Sequence, residues 1–291
     1  MTTQAERTDR GAAAPALRVL GTSDLPAALD HLSRDPVENV FVMSRIEAAL
    51  QQPWRLGGEL WGFGRGHSWS GLCYSGANLV PDAGADAAAL AAFAERARRR
   101  GRRCSSIVGP RHQVLTLWSD LVDVWGPGRE VRGDQPLMAI ERDPRIEPDQ
   151  RVRPVRDDEL DVLLPACIDM FTEEVGVSPV SAGDGALYRA RIRELVVRGR
   201  ALARIEGGRV VFKAELGSVS SQVCQVQGVW VHPDLRGQGL AAAGMASVVD
   251  HARRRFVPSV SLYVNGYNVP ARRTYERVGF ERVGTFATVL F

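Results

Sequence analysis

Apolar and polar positions in the second half of this chain change period in a regular order. Leu160, Val162, Leu163, Ala166, Met170 and Phe171 recur at intervals that gather on one face of a helix, with Asp157 or Asp158 as its cap. Leu187, Ile192, Leu195 and Val196 mark a second helix from Asp184 to Val197. Three strand candidates follow, Ala201–Glu206, Arg209–Leu216 and Gln222–Val231, and Gly207-Gly208 between the first two is a hairpin turn signal. A glycine-containing loop then leads into helix formers from Ala242. A short strand, Leu262–Asn265, precedes a helix with Asn268 as N-cap and Pro270 in its first turn. Gly279 stops that helix, and Phe280 begins a last strand. With a strand at Arg151–Val155 in front, these elements predict an α/β (α+β) fold around a mixed central sheet.

The first half repeats the order in shortened form. A strand at Leu17–Leu20 precedes helices after Ser23 and around Val37–Leu50. Strands at Glu59–Arg65 and Ser70–Leu79, helix Ala85–Arg100, strand Ser105–Val108, helix Gln113–Val124 and strand Pro136–Ile140 complete it. Pro144, Pro148 and the charges around them read as a connector. The expected organisation is therefore a disordered tail (1–15), a first domain (16–143), a linker (144–150) and a second domain (151–291).

Composition adjusts this picture little. A chain of 291 residues suits two domains, and its formal charge of +3 is too weak to imply a nucleic-acid partner. No apolar run approaches the roughly eighteen residues of a membrane helix. Residues 1–15 lack a hydrophobic signal core, so a cytoplasmic protein is expected. Cys73, Cys104, Cys167 and Cys224 are widely spaced without a metal pattern and read as reduced buried thiols; no metal site is expected. Lys213 is the only lysine. The run Arg96–Arg103 ends a helix, where cations complement the dipole. An arginine-rich RNA-binding reading rests on that run alone.

The segment Arg236-Gly237-Gln238-Gly239-Leu240-Ala241 carries the strongest chemical signal. It joins the strand ending at Val231 to a long helix. The first amides of a helix have no partner within it, and its dipole adds about half a positive charge there. Gly239 lets an anion approach the backbone, and Arg236 supplies a cation. An ordinary strand-to-helix turn with an exposed arginine would look the same, so the segments downstream decide.

Arg236, Gly239 and Ala241 fit the pyrophosphate loop of the GCN5-related N-acetyltransferases, the GNAT superfamily. Asn268, Ala271, Tyr275, Gly279 and Phe280 fit that family's following segment. With both motifs in order and a strand between them, residues from about 150 to 291 resemble a complete GNAT domain. The whole chain resembles the two-part actinobacterial GNAT proteins, whose first half is a degenerate copy: tandem GNAT-like domains, the C-terminal one complete. In the first half the corresponding turn, Val80–Asp86, offers no arginine, and Asp82 and Asp86 would repel a pyrophosphate. Gly62–Gly66 lies between two strands and reads as a hairpin.

The resemblance implies acetyl-CoA or another acyl-CoA between two splayed strands. The amides of Arg236, Gly237, Gln238, Gly239, Leu240 and Ala241 would take its pyrophosphate, and the backbone of Val229, Trp230 and Val231 its pantetheine arm, with Asn268 bonding the same arm. The Val229 amide would polarise the thioester carbonyl. Tyr275 would protonate the leaving thiolate; its bland alternative is helix packing. For the general base, the family's usual strand position is occupied by Tyr263. Glu215 is the first candidate, Glu173 and Glu174 the second, and a water relay stands beside them. His232 reads as a turn residue and Cys224 as core. The expected activity is acetyl transfer to a primary amine of a small molecule or peptide, without membrane or metal. The alternative is an acyl-CoA-binding regulatory or scaffold module without turnover. No diagnostic motif in the loop Gly176–Gly185 names the acceptor, the acyl chain or the oligomeric state.

Overall fold

The protein, seen as a computed structural model, is described over residues 14–291 apart from Ala182 and Asp184. The expected tail therefore falls almost wholly outside the described residues, as does the expected helix start at Asp184. The first half runs β1 (Ala16–Val19), α1 (Leu25–Leu32), α2 (Pro36–Gln51), β2 (Glu59–Arg65), β3 (Ser68–Ser75), β4 (Asn78–Pro81), α3 (Ala87–Arg100), β5 (Ser106–Pro110), α4 (Arg111–Trp125) and β6 (Glu130–Ile140). The second half repeats the scheme as β7 (Arg153–Pro154), α5 (Leu160–Val175), α6 (Gly185–Val197), β8 (Ala201–Glu206), β9 (Arg209–Val219), β10 (Val223–Val231), α7 (Leu240–Arg255), β11 (Ser259–Tyr263), α8 (Val269–Val278) and β12 (Glu281–Leu290).

The twelve strands of the described residues join one mixed sheet in the order β1-β2-β3-β4-β5-β12-β6-β11-β10-β9-β8-β7. That order reads the same from both ends once each half's strands are matched. The two halves have exchanged their last strands. β12 lies antiparallel between β5 and β6, while β6 lies antiparallel between β12 and β11. Each half also holds one short parallel pair, β4 with β5 and β10 with β11. Exchange explains why β6 starts at Glu130 and not at Pro136: β12 pairs with it as far as Glu130.

Several local expectations need correction. Neither Asp157 nor Asp158 caps α5. A 3-10 turn, Asp157–Glu159, precedes it, and the Glu159 carboxylate accepts the Arg156 N–H at 3.0 Å while Arg153 grips it twice at 2.7 Å. The strand expected at Arg151–Val155 shrinks to Arg153–Pro154, since Pro154 has no N–H to continue a ladder. The single strand expected at Ser70–Leu79 is a hairpin, β3 and β4. The segment 144–150 is pinned down: Asp149 pairs with Arg204 and Arg151, and its carbonyl accepts the Ser247 hydroxyl.

Apolar side chains fill four clusters against the sheet. Phe212, Met245, Val248, Val249 and Val260 lie at the heart of the one under α7. Gly244 on α7 rests directly on the Phe212 ring, where an added Cβ would come within 2.8 Å of it. Most arginines of the run Arg96–Arg103 are engaged within the chain. Arg96 and Arg100 pair with Glu59, Arg98 bonds the Asp120 carbonyl, and Arg102 stacks over Phe291.

Candidate active site

β10 and β11 pair only at Val223–Gln225 with Ser259–Ser261 and then part, opening a gap in the sheet. A bulge drives β10 away. Gln227 pairs with Glu215 and Trp230 with Lys213, so Gly228 and Val229 together oppose Ala214 alone. Gly228 has φ +59°, and a Cβ there would lie 3.1–3.2 Å from Met170, Glu215 and Lys213. Only glycine fits. The gap widens into a cleft of about 960 Å³.

At one end of the cleft lies the loop before α7. Gly237 and Gly239 have φ +77° and +80°, and nothing lies within 4 Å of where their Cβ atoms would be. Gly239 is the N-cap of α7 and offers no side-chain bond, so the first-turn amides of this helix face an open cradle. That geometry fits an anion of pyrophosphate size. Arg236 donates Nε–H to the Val231 carbonyl at 3.1 Å and reaches Glu173 on α5 through Nη2.

Most of the sequence-derived candidates are brought together here. Val229, Trp230, Val231, Arg236, Gly237, Gly239, Leu240, Ala241, Asn268, Tyr275 and Glu215 all line the cleft. Gln238 does not: its amide lies 3.5 Å from the Asp234 carbonyl. Asn268 caps α8, accepting the Ala271 N–H through Oδ1 at 3.2 Å. In the second turn of α8, Tyr275 is buried edge-on against Phe280. Burial pushes its phenol well above the ordinary value, and the charge of Glu174 adds to that.

The acidic candidates differ sharply. Glu215 is not a free base: Lys213 Nζ lies 2.7 Å from its Oε1, the Cys167 thiol 3.7 Å away, and Gln227 donates to Oε2 at 3.4 Å. Burial opposes ionisation of Glu215, and Lys213 outweighs it, holding the carboxyl below its ordinary range. Glu173 is engaged by Arg236. Glu174 lines the cleft and is reached by solvent; surrounding protein raises its carboxyl above the ordinary value, with Arg132 and Lys213 opposing and Glu215 assisting. His232 sits beside the Trp230 ring and takes the Asp234 N–H. Cys224 is buried, its thiol pushed up to about 12 by desolvation.

Three features of the site escaped the sequence reading. Lys213 sits two residues before Glu215 on one strand, a spacing that sets both on the same face and could have signalled the pair. Gln135, from the exchanged β6, bonds Asn265 at 2.9 Å and Thr288 at 2.6 Å; Asn265 then bonds the Tyr267 hydroxyl at 2.9 Å. This ladder crosses from β12 through β6 to the cleft wall, and only the strand exchange creates it. The third is the Glu173–Arg236 contact, between residues too far apart in sequence to be linked by pattern.

Among its described residues, the first half has no counterpart to the open loop. Asp82 is buried, hydrogen-bonded to His31 at 2.7 Å, and Asp86 caps α3 by accepting the Ala89 N–H. Among the described residues, no group of three or more His, Cys, Asp or Glu could hold a metal ion, and no helix is long and apolar enough to cross a membrane.

Comparison with known proteins bears on this geometry directly. Residues 182–280 match the acetyltransferase (GNAT) family, and residues 58–163 match a domain of unknown function, DUF4081. Residues 182–280 thus form a GNAT-family domain. A mycothiol acetyltransferase of Saccharomonospora viridis is 43% identical over 63 residues, which cover 22% of this chain and 21% of that one. The match thus spans about a fifth of that curated relative. A GCN5-related N-acetyltransferase structure from Sphaerobacter thermophilus shares 16% identity with a TM-score of 0.58, covering 95% of each chain. A tandem GNAT protein from the clavulanic acid biosynthesis pathway shares 12% identity with a TM-score of 0.52, covering 95% of this chain and 98% of that one. These structural likenesses establish the fold, with tandem GNAT-like halves.

Proposed function

We propose that the protein transfers the acetyl group of acetyl-CoA to a primary amine by direct attack, using the cleft between β10 and β11. The observation that carries this reading is the junction of an open strand gap, an uncapped helix N-terminus with Arg236 beside it, and a buried tyrosine on α8. The amides from Arg236 to Ala241 hold the pyrophosphate. The backbone of Val229, Trp230 and Val231 accompanies the pantetheine arm as an added strand, and Asn268, whose Oδ1 is used in capping, keeps its amide N–H groups for that arm. The name of the curated relative makes a small-molecule amine the first acceptor class to test.

In the transfer, the amine nitrogen forms a bond to the thioester carbonyl carbon and the carbon–sulfur bond breaks. The nitrogen loses one proton and the leaving sulfur gains one. Tyr275, held neutral by its surroundings, supplies the proton to sulfur. Glu174, with a raised carboxyl open to the cleft, takes the proton from nitrogen, directly or through water. Glu215 serves as a fixed negative charge, because its pairing with Lys213 makes it a poor proton acceptor. That same locked pair is the feature that favours the second reading, an acyl-CoA-binding module without turnover.

Native mass spectrometry and calorimetry with acetyl-CoA, followed by thiol release against a panel of amines, separate the two. Binding with turnover supports transfer; tight binding with no turnover against any amine supports the module; no binding discards both.

A further inference from the structure

The only lysine of the chain has no contact with solvent and lies directly beneath the β10 bulge. Two charges removed from water are costly, and buried pairs often contribute nothing to stability relative to apolar residues of the same volume. Their location points to another use. Lys213 stands opposite Trp230 and Glu215 opposite Gln227, the two residues that bracket Gly228 and Val229. Glu215 also accepts from the Gln227 side chain at 3.4 Å, and the Lys213 ammonium occupies the space beside Gly228 that a side chain would need. The pair therefore spans the bulge from below and ties it at both ends.

We propose that Lys213 is a positioning residue: by anchoring Glu215 and, through it, Gln227, it fixes the bulge so that the Val229 amide is aimed at the acyl carbonyl in the cleft. This rests on the acetyl-CoA reading and extends it to a residue that touches neither substrate. Burial works against the charge of Lys213, and Glu215 outweighs that effect, so both partners stay ionised and the brace stays closed. A strand amide held by packing alone would tolerate an apolar replacement of the pair. One aimed by the ion pair would not, and a misplacement of about 1 Å costs on the order of 10²-fold in rate.

The test uses full-length protein and acetyl-CoA labelled with ¹³C at the carbonyl. Lys213→Met alone leaves a buried unpaired carboxylate and is expected to lower the melting temperature. The double variant Lys213→Met, Glu215→Leu removes both charges and retains volume, so it is expected to fold. In the wild type, isotope-edited infrared spectra should show the bound carbonyl band shifted to lower frequency than free acetyl-CoA. In the double variant the band should return toward the free position and thiol release should drop about 10²-fold, while acetyl-CoA affinity changes by less than about threefold, under 1 kcal/mol. Glu215→Gln leaves the Lys213 charge buried and unpaired, so it too should lower the melting temperature, but it keeps an acceptor for Lys213 and should keep the band shift. A folded double variant with the wild-type band overturns the proposal alone. Wild-type protein that does not bind acetyl-CoA overturns it together with the acyl-CoA reading.

Discussion

Arg236 and Glu173 are joined at the cleft mouth by two hydrogen bonds of 2.8 and 3.1 Å, so the cation of the anion loop is shared with the end of α5. A pyrophosphate bound as proposed would compete with this carboxylate for one guanidinium. Both side chains are half-exposed, which limits the pair itself to roughly 0.2–1 kcal/mol.

Opposite effects on affinity follow for the two partners. Arg236→Ala should weaken acetyl-CoA by about 1–3 kcal/mol, the range for a lost charge-assisted bond. Glu173→Gln should tighten it by up to about fivefold, because the competitor is removed. Isothermal titration of both variants checks the pair; a Glu173→Gln protein with weaker binding would show that Glu173 helps the ligand.

The strand exchange predicts what happens when the chain is divided. A segment ending at residue 143 loses β12 from between β5 and β6, and a segment starting at 144 loses β6 from between β11 and β12. Each leaves unpaired strand edges, which promote association. Expressed separately, the halves should aggregate; co-expressed, they should form a soluble 1:1 complex that binds a single acetyl-CoA. Two acetyl-CoA molecules per full-length chain in native mass spectra would show that the first half, with Asp82 and Asp86 at its turn, binds one after all.

The repeated element order, the Arg236–Ala241 loop and the placement of Asn268 and Tyr275 were legible because each follows from local rules: helix caps, glycine positions and the switch between strand and helix periods. The exchange of β6 and β12 was not, since strands of both halves carry the same alternating pattern and pairing partners are chosen by topology. Glu215 shows the same limit at one residue. Its place on β9 could be read from alternation. The same alternation sets Lys213 on its face, but the burial of both side chains, and hence the weakness of Glu215 as a base, depends on the bulge and on α5 closing over them.

Acid stability should depend on Glu159. Hydrogen bonds from Arg153 hold its carboxyl at about 2, below the ordinary 4.5. A carboxyl depressed in the folded state contributes stability that is present above the unfolded value and is lost as pH falls toward the folded one. The contribution should therefore fade between about pH 4.5 and 2. Glu159→Gln should lower the melting temperature at pH 7 and flatten its decline across that window. An unchanged decline would assign the acid sensitivity to other carboxylates.

Tyr275→Phe should separate chemistry from binding. The ring keeps its edge-on contact with Phe280, so fold and acetyl-CoA affinity should survive. What should disappear is the proposed proton donor for the leaving thiolate, and general acid catalysis typically contributes about 10²–10⁴-fold. Because burial and the Glu174 charge both raise the phenol, Tyr275 stays protonated throughout the accessible alkaline range, and the wild-type rate should show no alkaline limb from this group. If Glu174 is the base, as proposed, an acid limb should belong to it. Its carboxyl is raised, so activity should begin to fall at a pH above the ordinary glutamate value as the base becomes protonated. Glu174→Gln should lower kcat by about 10²–10⁴-fold and remove that limb, with KM for acetyl-CoA nearly unchanged. Rate profiles of the three proteins from pH 5 to 10 decide the matter. Full activity in Tyr275→Phe removes the phenol from the mechanism, and an intact acid limb in Glu174→Gln returns the base to Glu215 or to water.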